Sequence, residues 1–252
     1  MFFRFSFSCL LWLTCFQLSF ASDIKVAVPP SGYPPYIIVD NNNLHGILIE
    51  TLQKAAKSSS LELEFVYLSE QASQSQLDSN QIDMRMESPG WVDNPERYLW
   101  SEPITSIKDM FVFNRNTPNE FESDDALSGA VINTHSGYGY PTLNKLFESR
   151  KIIRNDFETE KAMLLDLLNE QNGVKKAAVM DQYVVKYLMS RDSILKESLS
   201  LSRRHIDYKY LHFQVLKSRK MHHIITRLNL EIKKLKKIGV IDKIIKRNLS
   251  GM

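Results

Sequence analysis

The sequence has almost no cysteine. Among its 252 residues only Cys9 and Cys15 occur, and both lie within the first 21 residues. The remainder therefore has no thiol to form a disulfide or to attack a substrate. It also contains no His-x-x-x-His spacing, and the adjacent pair His222-His223 would diverge on a helix. Neither that pair nor His135 predicts a metal site, and no cofactor and no catalytic residue are predicted.

An excess of charge of one sign is lacking as well. The formal net charge is +3, and it falls to +2 without residues 1–21, whose only charged residue is Arg4. So small a net charge does not indicate a nucleic-acid partner. Many lysines and arginines lie between 217 and 247, where the simplest interpretation is the solvated face of a helix. After residue 21, no apolar run has the length of a membrane span.

Residues 1–21 differ from the rest of the chain. Arg4 precedes an almost wholly apolar stretch over 5–20, and Ser19-Phe20-Ala21 offers small residues for cleavage. This pattern predicts a secretory signal peptide over 1–21. A membrane anchor would need a longer apolar run, and a lipid-anchored form would need leucine where Trp12 stands. Because export without disulfides fits the bacterial periplasm, we expect a periplasmic protein.

After the signal peptide, strand and helix patterns alternate. Strands are expected over 23–28, 36–39, 61–68, 81–86, 104–114, 130–133, 151–153, 177–180 and 211–216. Helices are expected over 46–57, 141–149, 158–169, 181–189, 221–237 and 241–249. This order predicts an α/β fold with two lobes, each a mostly parallel sheet flanked by helices. Ligands of such sheets bind beyond the carboxyl ends of the strands.

The chain is expected to cross between the lobes twice. We place the first lobe at 22–114 and 205–252, and the second lobe at 115–204. Two lobes joined by two crossings form a hinged clamp that can close on a ligand.

One turn-rich stretch of the first lobe, Met86–Ile104, combines an arginine with aromatic rings. Arg97 could meet a carboxylate bidentately, and the indole of Trp91 could cover an apolar or cationic group. The stretch therefore predicts a site for a small anion. The alternative for Arg97 is a surface salt bridge with Glu96 or Glu102.

Arg85 lies inside an apolar strand. A charge in that position must find a partner or face the cleft. A buried pair with Glu87 or Asp83 is the simpler interpretation.

Several short motifs follow one another in order. They are Tyr33-Pro-Pro-Tyr36, Leu44-His-Gly46, Asn80-Gln-Ile-Asp83, Pro95-Glu-Arg97, Ser136-Gly-Tyr138, Val174 to Asp181 and Leu235-Lys-Lys-Ile-Gly239. Together they resemble the bacterial periplasmic solute-binding proteins of family 3, the polar amino-acid type. The resemblance covers nearly all of the chain after the signal peptide. It implies the two-lobed, type II periplasmic-binding-protein fold.

The resemblance implies ligand contacts from both lobes. Arg97 corresponds to the arginine that binds the ligand's α-carboxylate in the family. Asp181 corresponds to the aspartate that binds its α-ammonium. Tyr36 falls at an aromatic residue that stacks on the ligand. A helix start that meets the carboxylate falls at Ser136, Gly137 and Tyr138, where N–H groups favour an anion. Considered alone, Asp181 is also a simple N-cap.

The loop before Arg97 departs from the family pattern. It is longer by about two residues. Glu87 and Trp91 lie in this loop, and they are where an unfamiliar specificity would be determined.

The resemblance implies a monomeric binding protein. It would capture a small amphoteric solute, such as an amino acid or a related compound, for ABC-type transport. Its partner would be an inner-membrane permease or, if it is a sensing module, a separate receptor. The alternative is an enzyme on the same scaffold, similar to cyclohexadienyl dehydratase, with Glu87 as general acid.

Overall fold

A computed structural model describes residues 23–41, 43–116, 125–169 and 173–250. The predicted signal peptide lies outside these ranges. The strands are β1 (Ile24–Val28), β2 (Ile38–Asp40), β3 (Asn43–His45), β4 (Leu63–Tyr67), β5 (Arg85–Glu87), β6 (Tyr98–Trp100), β7 (Thr105–Asn114), β8 (Val131–His135), β9 (Ile153–Phe157), β10 (Lys176–Asp181) and β11 (Leu199–Leu216). The helices are α1 (Ile47–Ser58), α2 (Glu70–Asp78), α3 (Pro141–Glu148), α4 (Glu160–Asp166), α5 (Gln182–Met189), α6 (Ser193–Ser198), α7 (Arg219–Lys237) and α8 (Val240–Leu249). None of the helices in the described ranges is both long enough and apolar enough to cross a membrane.

The first lobe contains the predicted parallel strands. β1 pairs in parallel with β4, and Val26 bridges Met84 just before β5. Helix α1 buries an apolar side that includes Ile49 and Leu52, and α7 and α8 pack beside it. Each large apolar side chain buried in this way contributes about 1.5–3 kcal/mol.

The second lobe has its own parallel strands and its own core. β8 pairs in parallel with both β9 and β10. A separate apolar cluster includes Phe111, Ile132, Leu143 and Val179. The predicted series of strands and helices in this lobe is confirmed, although β9 begins at Ile153, where the predicted strand ended.

Two long antiparallel strands connect the lobes. β7 pairs with β11 along most of its length and with β10 on its other edge. The end of β11 also pairs with β5 and β6, so one continuous sheet passes from the first lobe into the second. The lobe boundaries given above stay predictions. This sheet places β11 on one edge of β7 and β10 on the other.

The prediction of the returning strand was wrong in length. It was expected over 211–216, whereas β11 has 18 residues and begins at Leu199. Over its first twelve residues, 199–210, the apolar alternation is interrupted at Arg203-Arg-His205, and the register with β7 shifts on both sides of His205. The short elements β6 and α6 were not predicted.

Candidate functional site

A tight turn after β1 places two tyrosine rings beside each other. Tyr33 N–H donates to the Ile37 carbonyl at 2.7 Å, and Ile37 N–H donates back at 3.0 Å. The first two N–H groups of α1 donate to the carbonyls of Pro35 and Tyr36, each at 3.0 Å. The turn is therefore fixed to the helix start. The Tyr33 and Tyr36 rings stack with centroids 5.3 Å apart.

Asp181 receives hydrogen bonds from both lobes. Its Oδ1 accepts from the hydroxyl of Tyr36 at 2.7 Å, and from the N–H groups of Tyr183 at 2.9 Å and Val184 at 3.1 Å. Its Oδ2 accepts from the Lys108 N–H at 2.9 Å. The predicted N-cap is confirmed. Asp181 is 3% exposed, and burial raises its pKa although these hydrogen bonds oppose the rise.

Asp109 lies between two other aspartates on neighbouring strands. It is directly opposite Asp181 of β10 and Asp207 of β11. Burial, with the charges of Asp181 and Asp207, raises the pKa of Asp109 to about 7. Lys209 opposes this rise, but its ammonium is paired with Asp207. Residues directly opposite in a sheet point to the same face, so Asp109 faces the same side as Asp181.

The loop after β8 supplies an aromatic wall from the second lobe. The rings of His135 and Tyr138 stack with centroids 4.2 Å apart. His135 Nε2 lies 3.8 Å from a carboxylate oxygen of Glu160, at the start of α4. The hydroxyl of Tyr140 accepts from the His135 N–H at 2.8 Å, which fixes the loop.

Tyr33 connects the two sides of the cleft. Burial raises its pKa, and the charges of Asp181, Tyr138, Asp109 and Glu160 add to the effect. Groups from both lobes therefore influence this one hydroxyl. We call the following set the cleft cluster: Tyr33, Tyr36, Asp109, Tyr138, Glu160 and Asp181.

The turn at Ser136, Gly137 and Tyr138 lies next to the cluster, but α3 begins only at Pro141. Ser136 N–H donates to the Phe157 carbonyl at 2.8 Å, and Tyr138 N–H donates to the His135 carbonyl at 3.1 Å. Two of the three N–H groups predicted to meet an anion are thus engaged within the protein.

Arg97 is not brought together with the cleft cluster. Its guanidinium lies 3.7 Å from an Asp78 carboxylate oxygen and 5.7 Å from the centre of the Tyr98 ring. The partner is thus Asp78 of α2, and not Glu96 or Glu102. The side chain is 54% exposed. Its contact with a ligand stays a prediction.

Arg85 and Glu87 form the predicted buried pair. Arg85 Nη2 donates to Glu87 Oε2 at 2.5 Å, Nη1 donates to Gln74 at 2.7 Å, and Glu70 also contacts the guanidinium. Glu87 Oε1 accepts from the Ser88 N–H at 2.8 Å. Both oxygens of Glu87 are therefore occupied.

Trp91 remains largely at the surface. It is 49% exposed and lies in a short 3-10 helix, Pro89–Trp91. Its place in a ligand site stays a prediction. Within the described ranges, no group of three or more His, Cys, Asp or Glu side chains could hold a metal ion.

Sequence reasoning did not single out Tyr33, Asp109 or Glu160, which the structure places in the cleft cluster. Tyr36 is fully buried, whereas Tyr33, on which it stacks, is partly exposed; the contact of Tyr36 with a ligand stays a prediction. Asp109 had a usable signal, because it is a carboxylate inside the apolar strand β7.

The sequence model of the bacterial extracellular solute-binding proteins, family 3, matches residues 24–251. The chain belongs to this family. No curated protein matches it significantly. Membership confirms the predicted family and makes the space between the lobes the expected place for a solute.

Solved structures share the fold of this solute-binding protein at low sequence identity. The ligand-binding core of GluR0 in complex with L-glutamate has a TM-score of 0.72 and 17% identity, over 91% of this chain and 99% of the other. A substrate-binding domain of a putative amino acid ABC transporter from Streptococcus pneumoniae has a TM-score of 0.70 and 20% identity, over 91% and 100%. An ancestral amino acid-binding protein, described as a precursor of cyclohexadienyl dehydratase, has a TM-score of 0.65 and 17% identity, over 90% and 95%. These likenesses confirm the predicted two-lobed α/β clamp.

Proposed function

We propose that this family 3 protein captures an amino acid or a related small solute between its lobes in the periplasm. It acts as a binding protein for ABC-type transport, without chemistry on the solute. An inner-membrane permease is the expected partner, and a sensor receptor would use the same cleft. We expect a monomer.

The observation that carries this proposal is the cleft cluster itself. Tyr33 and Tyr36 come from the first lobe, whereas Tyr138, Glu160 and Asp181 come from the second. Aromatic faces and carboxylates from two lobes provide both apolar cover and charged contacts for a small polar solute. The GluR0 complex with L-glutamate and the Streptococcus pneumoniae domain support an amino acid as the class of solute.

The ancestral relative of a dehydratase keeps the enzyme alternative open to test. The geometry around Glu87 does not favour it. An acid catalyst must present a proton to its substrate, whereas both Glu87 oxygens accept hydrogen bonds from Arg85 and Ser88.

A thermal-shift panel tests the proposed function. The mature chain is heated with each standard L-amino acid, with small organic acids and with a cyclohexadienyl acid. A ligand at about one hundred times its Kd adds about 2.7 kcal/mol to the free energy of unfolding, so one chemical class should raise Tm by several degrees. No shift with any amino acid would contradict the proposal. Turnover of the cyclohexadienyl acid, lost in Glu87→Gln, would favour the enzyme.

A further inference from the structure

We propose that the cleft selects a solute of net positive charge, and that Asp109 rather than Asp181 receives its ammonium or guanidinium group. This inference rests on the proposed function and names the class of solute for the same cleft. Its first premise is the lack of room at Asp181.

The carboxylate of Asp181 is largely occupied within the protein. Two carboxylate oxygens offer about four acceptor positions. Asp181 uses three on Oδ1, for Tyr36, Tyr183 and Val184, and one on Oδ2, for Lys108. Only the second position on Oδ2 is left for a ligand cation, and the side chain that carries it is 3% exposed.

Asp109 offers what Asp181 does not. It lies directly opposite Asp181 in the sheet and is partly exposed. Within the described part of the chain, no hydrogen-bond donor to its carboxyl group is found. Its charge acts on the hydroxyls of Tyr33 and Tyr140, so both sides of the cleft are close to it. Aromatic faces beside a carboxylate are a favourable setting for a cation.

The charges that face Asp109 come from each strand and loop packed around it. Asp181 lies on β10, and Asp207 and Lys209 lie on β11. Lys209 is held by Asp207. The carboxylates thus outnumber the lysine, and an acidic cleft favours a cationic solute over an anionic one.

A proton should accompany ligand binding. Because the pKa of Asp109 is raised to about 7, the carboxyl is about half protonated near neutral pH. A cation that binds the carboxylate form displaces that proton to the buffer. The amount released is about half a proton per ligand at about pH 7.

Isothermal titration calorimetry of the mature chain tests the inference. The probes are L-arginine and L-lysine, with L-glutamine and L-glutamate as comparators, at about pH 7 in two buffers of different ionisation enthalpy. We expect one of the cationic amino acids to bind roughly tenfold or more tightly than L-glutamine, with release of a proton. In Asp109→Asn both the preference and the proton release should be lost. Asp125→Asn, the same change at an exposed site of the second lobe, should keep both.

Tyr36→Phe distinguishes the two carboxylates. If Asp181 received the cation, removal of the competing hydroxyl would tighten binding, and Asp109→Asn would have no effect on the preference. That result would overturn the inference, as would tighter binding of L-glutamine or L-glutamate than of both cations. In either case the proposed function stands. Failure of every amino acid to bind would overturn the proposed function and this inference with it.

Discussion

The hydroxyl of Tyr36 donates a hydrogen bond to Asp181 Oδ1 at 2.7 Å across 145 positions of sequence. Tyr36 belongs to the turn that α1 holds in the first lobe, and Asp181 caps α5 in the second. One bond therefore joins the aromatic turn, the helix start and the strand β10. Both groups are almost fully buried, so this hydrogen bond belongs to the packed contact between the two lobes.

Tyr36→Phe should weaken the contact between the two lobes. The change removes the hydroxyl and keeps the ring, while Asp181 retains its three backbone donors. We expect a loss of about 1 kcal/mol in the free energy of unfolding. Small-angle scattering should show a larger radius of gyration than in the unchanged protein. Tyr183→Phe is the control, because it alters a neighbouring ring without removing the bond; an equal effect in both variants would contradict the assignment.

Asp109→Asn should change the pH dependence of stability. The folded pKa of Asp109 is raised to about 7, above the ordinary value of 3.8. The folded protein therefore holds this proton more tightly than the unfolded chain does. The free energy of unfolding consequently falls as pH rises from about 4 to about 7. Above that range this group causes no further change with pH.

The asparagine variant lacks this titration. Between about pH 5 and about pH 8, the unchanged protein should lose about 1–3 kcal/mol more of its free energy of unfolding than Asp109→Asn does. Urea denaturation at the two pH values measures the difference. Parallel losses in the two proteins would show that Asp109 titrates in the ordinary range of a carboxyl group.

Two arginines of the first lobe should differ sharply in their effect on stability. Arg85→Met leaves the buried carboxylate of Glu87 without its partner, and such a loss costs about 3–5 kcal/mol. Arg97→Met removes an exposed pair with Asp78, which contributes at most about 1 kcal/mol. Urea denaturation of both variants tests this. The double variant Arg85→Met with Glu87→Met should recover much of the loss, and failure to recover would show that the arginine acts through packing.

Most strands and helices of this chain could be predicted from the sequence, because the spacing of apolar residues determines where they form. Strands β1 and β4 and helix α1 lie close to where they were predicted. The first twelve residues of β11 were missed, because Arg203-Arg-His205 interrupt their apolar alternation and pairing with β7 keeps them in the strand. Such pairing depends on the whole sheet and leaves little local signal.

The cleft was predicted less well than the fold. Asp181 was identified from its position at a helix start, which is a local feature. Its contact with Tyr36 joins residues far apart in sequence, so no local pattern could reveal it. Arg97 was chosen from its turn-rich stretch and from the family resemblance, and in the structure it pairs with Asp78 of α2. Asp109 could have been identified by the reasoning applied to Arg85, since both are charges within apolar strands.

Gly46 links the helix start to the Tyr36 turn, and its replacement should disturb both. It has φ of +110°, and a Cβ there would lie 2.7 Å from the Tyr36 carbonyl oxygen and 2.9 Å from that of Pro35. Those carbonyls accept the first N–H groups of α1, so the backbone cannot move without breaking these bonds. We expect Gly46→Ala to cost about 3 kcal/mol or more, from strain and from lost hydrogen bonds.

Gly129→Ala is the matched control. Gly129 also has a positive φ, of +75°, but a Cβ there would meet nothing within 4 Å. Only backbone strain applies, and a loss of about 1 kcal/mol is expected. Near-ultraviolet circular dichroism should report altered tyrosine packing in Gly46→Ala alone, because that substitution displaces the Tyr33 and Tyr36 rings. Equal losses, or an unchanged tyrosine signal, would mean that the turn is not held by the start of α1.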